Sequence, residues 1–198
     1  MRLAVGPDTV QYILGHTNIK AVVCARNNLP KLCEAKQTGE CPSFEVAVLA
    51  DGVTSEAVRQ AEAANLHVIS FAKVEATGAQ LIAESGHKHN PPSYDDVATF
   101  SYTSGTTGHP KGALITHGNL VSVCSAMQTI PGLGQSIVDR HLSFLPLPHI
   151  FERAVQVQTI FAGASIAFYR GDPLLLIEDI QAYRPTFLCV APRLLNKI

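Results

Sequence analysis

The sequence predicts an α/β fold in which mostly parallel sheets are flanked by helices. Short apolar runs rich in β-branched residues alternate with longer amphipathic stretches, which is typical of βαβ units. The 198 residues include 46% hydrophobic and only 16% charged residues, whereas an ordinary soluble domain carries about 25% charged residues. This low charge indicates strands buried on both faces, or surface that other protein covers.

The segment before residue 93 is predicted to contain three βα repeats. Apolar spacing places helices at residues 8–16, 29–35 and 55–65, and strands at residues 19–24, 44–49 and 66–69. Thr54 is expected to cap the third helix, and the acidic Glu56 in its first turn favours the same start. Residues 85–93 contain glycine, prolines and polar residues without periodicity. We therefore predict a boundary between a subdomain portion at 1–92 and another at 93–198.

The second portion continues the alternation. Strands are predicted at 96–102, 113–116, 141–147, 165–169 and 186–190, and helices at 117–129, 150–161, 173–183 and from 192 onward. The last helix has no terminating glycine or capping residue before Ile198. We therefore expect the sequence to be an internal piece of a larger protein.

Charge, hydropathy and cysteine usage exclude several classes. The net charge of −1 and the lack of a Lys/Arg cluster argue against nucleic acid as a partner. The longest apolar runs, such as residues 174–177, are far shorter than the roughly 20 residues that cross a bilayer, so no transmembrane segment is predicted. Five cysteines without a C-x-x-C pair indicate reduced thiols and an intracellular protein. His87 and His89 lack further residues at ligand spacing, so solvated histidines are expected there.

The segment with the clearest chemistry is Tyr-Thr-Ser-Gly-Thr-Thr-Gly-His-Pro-Lys-Gly at residues 102–112. Its glycines permit positive φ and close backbone approach, so that successive N–H groups can face one anion. The hydroxyls supply further donors, and Lys111 supplies a compact positive charge. The spacing does not match a Walker A loop. From residue types alone, a flexible hairpin turn is the alternative.

Residues 103–112 resemble the phosphate-binding signature T-S-G-T-T-G-x-P-K-G of the adenylate-forming superfamily. That superfamily includes acyl-CoA synthetases, nonribosomal peptide adenylation domains and luciferases. A second segment, Leu-Ser-Phe-Leu-Pro-Leu-Pro-His-Ile-Phe-Glu-Arg at residues 142–153, is similar to a motif of long-chain acyl-CoA synthetases. Residues 169–172 and 184–195 also look like that branch. The resemblance implies a portion of the large N-terminal domain of a long-chain fatty acid:CoA ligase.

The resemblance also implies functional residues. The phosphates of ATP are expected to contact Thr103, Ser104, Gly105, Thr106, Thr107, Gly108 and Lys111. Thr103 is the candidate ligand of a magnesium ion, since Mg²⁺ prefers oxygen. His149, together with Lys111, is a candidate catalytic residue, because its ring could orient the acyl carboxylate. The alternative is that His149 only satisfies the start of a helix. For Glu152 we favour a structural interaction with that helix N-terminus, and Arg153 is interpreted as a surface partner of Glu152 or an interface residue.

By this resemblance, the parent enzyme would use ATP, Mg²⁺, a long-chain fatty acid and coenzyme A, at an intracellular membrane such as the endoplasmic reticulum. The adenine and ribose sites, the hinge and the C-terminal domain with its lysine cannot be located in the sequence, so the isolated piece is expected to be inactive. Two alternatives stay open. One is a different adenylating branch, of short-chain acyl, aryl or peptide-synthetase type. The other is a non-catalytic nucleotide- or acyl-binding module.

Overall fold

The computed structural model describes residues 7–86, 89–103 and 110–190. Within them, contacts divide the chain into two compact units, one ending at Asn90 and one beginning at Pro91. This division falls two residues before the boundary predicted from the linker. No helix in the described residues is both long and apolar enough to cross a membrane.

The first unit is a three-stranded parallel sheet with helices between its strands, as the βα repeats predict. Its elements are α1 (Pro7–Thr17), β1 (Ala21–Cys24), α2 (Leu29–Gln37), β2 (Val46–Leu49), α3 (Ser55–Ala63), β3 (His67–Ser70) and α4 (Phe71–Ser85). Strand β2 lies between β1 and β3 and is parallel to both. The cap predicted for α3 is confirmed, because the Thr54 side chain accepts a hydrogen bond from the Ala57 N–H.

The core of this unit forms where helices cover the sheet. It contains Leu29, Phe44, Leu49 and Ala61, each of which is fully buried. Helix α4 differs, because none of its residues is buried and Leu81 and Ile82 are more than half exposed. No helix or strand was predicted for residues 71–85.

The second unit contains an antiparallel hairpin and a parallel pair of strands. Its elements are β4 (Val97–Thr103), β5 (Lys111–Thr116), α5 (His117–Thr129), β6 (Arg140–Ser143), α6 (Ile150–Phe161), β7 (Ser165–Phe168) and α7 (Leu176–Tyr183). Strands β4 and β5 pair antiparallel, whereas β6 and β7 pair parallel. Helices α5 and α6 have the predicted bounds. A 3₁₀ turn at Pro173–Leu175 replaces the predicted first turn of α7.

Two strand predictions in this unit are wrong. Strand β6 ends at Ser143 rather than at residue 147, because its partner β7 has only four residues and Pro146 and Pro148 follow. Residues 186–190 form no strand and make only an isolated parallel bridge between Phe187 and His141. The helix predicted from residue 192 lies outside the described residues.

Candidate functional site

The ends of the β4–β5 hairpin bring together two of the predicted phosphate-binding residues. Thr103 and Lys111 are the last cross-strand pair. The Thr103 hydroxyl donates a long hydrogen bond of 3.5 Å to the Lys111 carbonyl, and both residues are exposed. The other predicted contacts, Ser104, Gly105, Thr106, Thr107 and Gly108, lie outside the described residues. An exposed hydroxyl and an exposed ammonium at one hairpin end form a donor set suited to an anion.

Glycine at position 112 is explained by close packing rather than by the positive φ that was expected. It is not among the described glycines with positive φ. Instead it pairs across the hairpin with Tyr102, and a Cβ built at Gly112 would lie 3.1 Å from Cζ of that ring. A side chain at this position would crowd the Tyr102 ring, which lies against the strand.

His149 lies at the start of α6, where it is the N-cap residue. Its ring makes no capping hydrogen bond to the helix among the described residues, and the side chain is exposed. The alternative, in which the ring satisfies the helix start, therefore has no support in the described geometry. Its backbone N–H donates to the Pro146 carbonyl at 3.0 Å, which closes a turn just before the helix. The imidazole thus stays available to a ligand.

The segment before His149 is attached to β4. The Ser101 hydroxyl donates to the Pro148 carbonyl at 3.0 Å, and Ser101 itself is only 7% exposed. Ser101 and Thr103 lie on the same face of β4 because side chains alternate along a strand, and their Cα atoms are about 7 Å apart at the usual rise. The strand that leads to the phosphate loop therefore also contacts the residue next to His149.

The Arg153 guanidinium forms no ion pair with Glu152, so of its two sequence interpretations the one as a surface partner of Glu152 is wrong. Its Nε donates to the Leu147 carbonyl at 3.2 Å. One terminal nitrogen donates to the hydroxyl of Thr99 on β4. The guanidinium therefore bridges the segment before α6 to the same strand.

Glu152 lies in the first turn of α6, as the structural interpretation expects, and its side chain is fully buried. Its Oε1 lies 3.0 Å from Nε2 of His141 on β6, and both side chains are 0% exposed. Gln156 donates to the same oxygen at 3.4 Å and to the Ser143 hydroxyl at 2.7 Å. Among the described residues, Oε2 of Glu152 has no hydrogen-bond partner.

A thiol borders this buried pair. Burial, and to a smaller extent the negative charge of Glu152, raise the pKa of Cys189 to about 12. Cys189 is 4% exposed, and it stays protonated at physiological pH. The pair and the thiol were missed in the sequence because their members are 11 and 37 residues apart and follow no local pattern.

The described residues contain no group of three or more His, Cys, Asp or Glu side chains placed to hold a metal ion. Thr103 therefore offers one hydroxyl oxygen as a ligand, and no such cluster of side chains in the described residues accompanies it. A cavity of about 290 Å³ lies between the β6–β7 sheet and α7, lined by Leu142, Phe168 and Tyr183 among others. No predicted site residue lines it.

Known proteins with related sequences are long-chain acyl-CoA synthetases. The chain is 37% identical over 196 residues to long-chain-fatty-acid–CoA ligase 1 of Cavia porcellus, which covers 98% of this chain and 28% of the relative. It is 35% identical over 193 residues to the peroxisomal long chain acyl-CoA synthetase 7 of Arabidopsis thaliana, covering 98% of this chain and 26% of the relative. The chain thus spans about a quarter of the length of these relatives.

Solved structures give the same fold. The adenylation domain of a carboxylate reductase from Mycobacterium chelonae superposes with a TM-score of 0.78 at 22% identity, over 98% of this chain and 31% of that one. The A-PCP didomain of a carboxylic acid reductase from Segniliparus rugosus, solved in complex with AMP, gives a TM-score of 0.74 at 24% identity, over 96% and 28%. The α/β architecture is therefore that of adenylation domains. In sequence, the AMP-binding enzyme family matches residues 1–198, and the chain belongs to that family.

Proposed function

We propose that this chain is part of a long-chain fatty acid:CoA ligase, which joins a fatty acid to ATP and then transfers the acyl group from AMP to coenzyme A. One observation carries the proposal. Strand β4 ends at Thr103, opposite Lys111, and two residues earlier its Ser101 holds the segment that precedes His149. The hairpin end that would bind phosphate and the segment that precedes His149 are thus both attached to β4.

The hairpin end supplies positive charge and donors where pyrophosphate forms. Charge accumulates on the β- and γ-phosphates as the α-phosphorus is attacked, and fixed donors lower the energy of that state. Lys111 contributes a flexible point charge that can follow the leaving phosphates. Thr103 and the loop residues Ser104, Thr106 and Thr107 contribute hydroxyls, with backbone N–H groups at Gly105 and Gly108.

His149 acts on the other reactant. As an exposed N-cap residue without a capping bond, its ring is available to hold the fatty acid carboxylate and direct one oxygen to the α-phosphorus. Orientation of this kind accounts for a large share of catalysis in a reaction between two bound substrates.

A magnesium ion fits this arrangement with few protein ligands. Mg²⁺ binds oxygen, keeps several waters and is held in nucleotide sites largely by the phosphates, so the Thr103 hydroxyl would be the ligand that the described residues contribute. When bound, the ion neutralises charge on the phosphate oxygens. Coenzyme A is the second acceptor, and the expected place of action is intracellular, at the surface of a membrane such as the endoplasmic reticulum.

The experiment measures ATP–pyrophosphate exchange dependent on palmitate in the full-length protein that contains this chain. Lys111→Ala and Thr106→Ala are expected to lower the exchange rate by about 100-fold, the usual effect of removing one donor to developing charge. Lys31→Ala is the matched control, because Lys31 is an exposed lysine on α2. Undiminished exchange in both loop variants contradicts the phosphate-binding assignment.

A panel of carboxylates tests the substrate class. Exchange that is fastest with long-chain acids supports the proposal. Preference for short-chain, aryl or amino acids instead indicates another adenylating branch. Binding of ATP in calorimetry without exchange on any acid indicates a non-catalytic module.

A further inference from the structure

Two consecutive backbone carbonyls before His149 are each held by a side chain. The Leu147 carbonyl accepts from Nε of Arg153 at 3.2 Å, and the Pro148 carbonyl accepts from the hydroxyl of Ser101 at 3.0 Å. Proline at 146 and 148 leaves few backbone N–H groups in this segment. Its conformation therefore depends strongly on these two side chains.

Both contacts lead to one face of β4, through Ser101 itself and through Thr99, the second acceptor of Arg153. Arg153 also donates to the Thr99 hydroxyl, and Thr99, Ser101 and Thr103 alternate on β4. An irregularity in the pairing lies between Val97 and Thr99, and from Thr99 to Thr103 the pairing with β5 is regular. The regular ladder therefore keeps Thr99 and Ser101 in fixed register with the end of the hairpin.

The donor geometry requires arginine. The guanidinium uses Nε and a terminal nitrogen at the same time, on two acceptors that belong to different segments. A lysine ammonium is a compact point charge that lacks this planar fork. The neighbouring Glu152 turns to His141 instead, so it does not neutralise Arg153 or pull it from these acceptors.

We propose that Arg153 and Ser101 are positioning residues that hold His149 in register with the phosphate loop through β4. This inference rests on the proposed function, since it concerns how the two ends of that site are kept at a fixed separation. A misplacement of about 1 Å from a group away from the reacting atoms can cost about 100-fold in rate. The contribution is therefore expected in the turnover of adenylation more than in ATP binding.

The experiment uses the full-length protein and the variants Arg153→Lys, Ser101→Ala and Thr99→Val. Each is expected to lower kcat for ATP–pyrophosphate exchange by about 10- to 100-fold, with KM for ATP changed less than about threefold. Thr99→Ser keeps the hydroxyl that accepts from Arg153 and is expected to restore most of the rate lost in Thr99→Val. Arg59→Lys on the exposed surface of α3 is the matched control.

A second readout does not depend on catalysis. Hydrogen exchange at the His149 amide, which donates to the Pro146 carbonyl, is expected to be at least about tenfold faster in Arg153→Lys than in the unaltered protein. Suppose that the His149 amide exchanges hydrogen faster in Arg153→Lys, but the full-length protein shows no ATP–pyrophosphate exchange with any acid. That result supports the positioning role and overturns the proposed function. Unchanged amide protection with unchanged kcat overturns the positioning role. A loss of kcat that follows the melting temperature, or an equal rise in KM for ATP, also overturns it.

Discussion

Replacing Glu152 by methionine is expected to destabilise the second unit. The substitution leaves His141 at 0% exposure without its carboxylate partner. Leaving a buried polar group without its hydrogen-bond partner costs about 1–3 kcal/mol, because that group is desolvated without compensation. Gln156 also loses one of its two acceptors, although the shorter bond to Ser143 stays.

Hydrogen exchange at the backbone amides of α6 and β6 measures this loss locally, which avoids treating a multidomain protein as two-state. A loss of about 1–3 kcal/mol corresponds to exchange that is about 5- to 100-fold faster. Glu56→Met is the matched control. Glu56 also lies in the first turn of a helix, but it is exposed and pairs with Arg59 at the surface, so its loss should cost about 1 kcal/mol or less.

The double variant Glu152→Met/His141→Leu completes the test. Apolar residues of similar size in place of a buried pair are often neutral or stabilising, so the double variant should recover most of the protection lost in Glu152→Met. If Glu152→Met speeds exchange by less than about fivefold, or no more than Glu56→Met does, the reasoning from the buried pair is refuted. A double variant as unstable as the single one leads to the same conclusion.

Two further predictions concern burial and close packing. Because the pKa of Cys189 is raised from 9.0 to about 12, its contribution to stability is fully present below pH 9 and is lost as pH rises toward 12, by about 1.4 kcal/mol per unit. Alkylation by iodoacetamide at pH 9, followed by mass spectrometry, should spare Cys189 in the folded protein and modify it in urea. Gly15→Ala places a Cβ 2.5 Å from a backbone carbonyl oxygen, so thermal denaturation should show a loss of about 1–3 kcal/mol. Gly78→Ala in α4 meets nothing within 4 Å and should be neutral or stabilising; an equal loss in both variants contradicts the packing argument.

Local signals were sufficient for much of the fold. The βα alternation predicted that the strands of the first unit pair in parallel, and apolar spacing gave the bounds of α5 and α6. No element was predicted for α4, although apolar residues recur there at helical spacing, as at Phe71, Val74 and Leu81. Its content of alanine, glutamate, lysine and leucine is a second signal, since these residues favour helices.

The candidate site also has a part that could be predicted from the sequence and a part that could not. Thr103 and Lys111 were predicted as site residues from one contiguous motif, and the hairpin pairs them directly. The flexible-hairpin alternative and the phosphate-loop interpretation are compatible in this respect, because a hairpin is the element that carries the loop. Ser101 and Arg153 were missed because their partners are 47 and 54 residues away. Contacts of that range depend on tertiary packing, which no local pattern encodes.

The first turn of α6 contains two adjacent residues, Glu152 and Arg153, whose side chains have different partners. Successive side chains are about 100° apart around a helix, so Glu152 and Arg153 reach different neighbours. Glu152 contacts His141 on β6, whereas Arg153 contacts Thr99 on β4. The start of α6 is therefore fixed to both sheets of its unit, and the exposed N-cap His149 lies where these two attachments converge. Loss of either attachment should displace His149. Loss of the buried contact between Glu152 and His141 should mainly lower stability, whereas loss of the contact between Arg153 and Thr99 should mainly lower turnover.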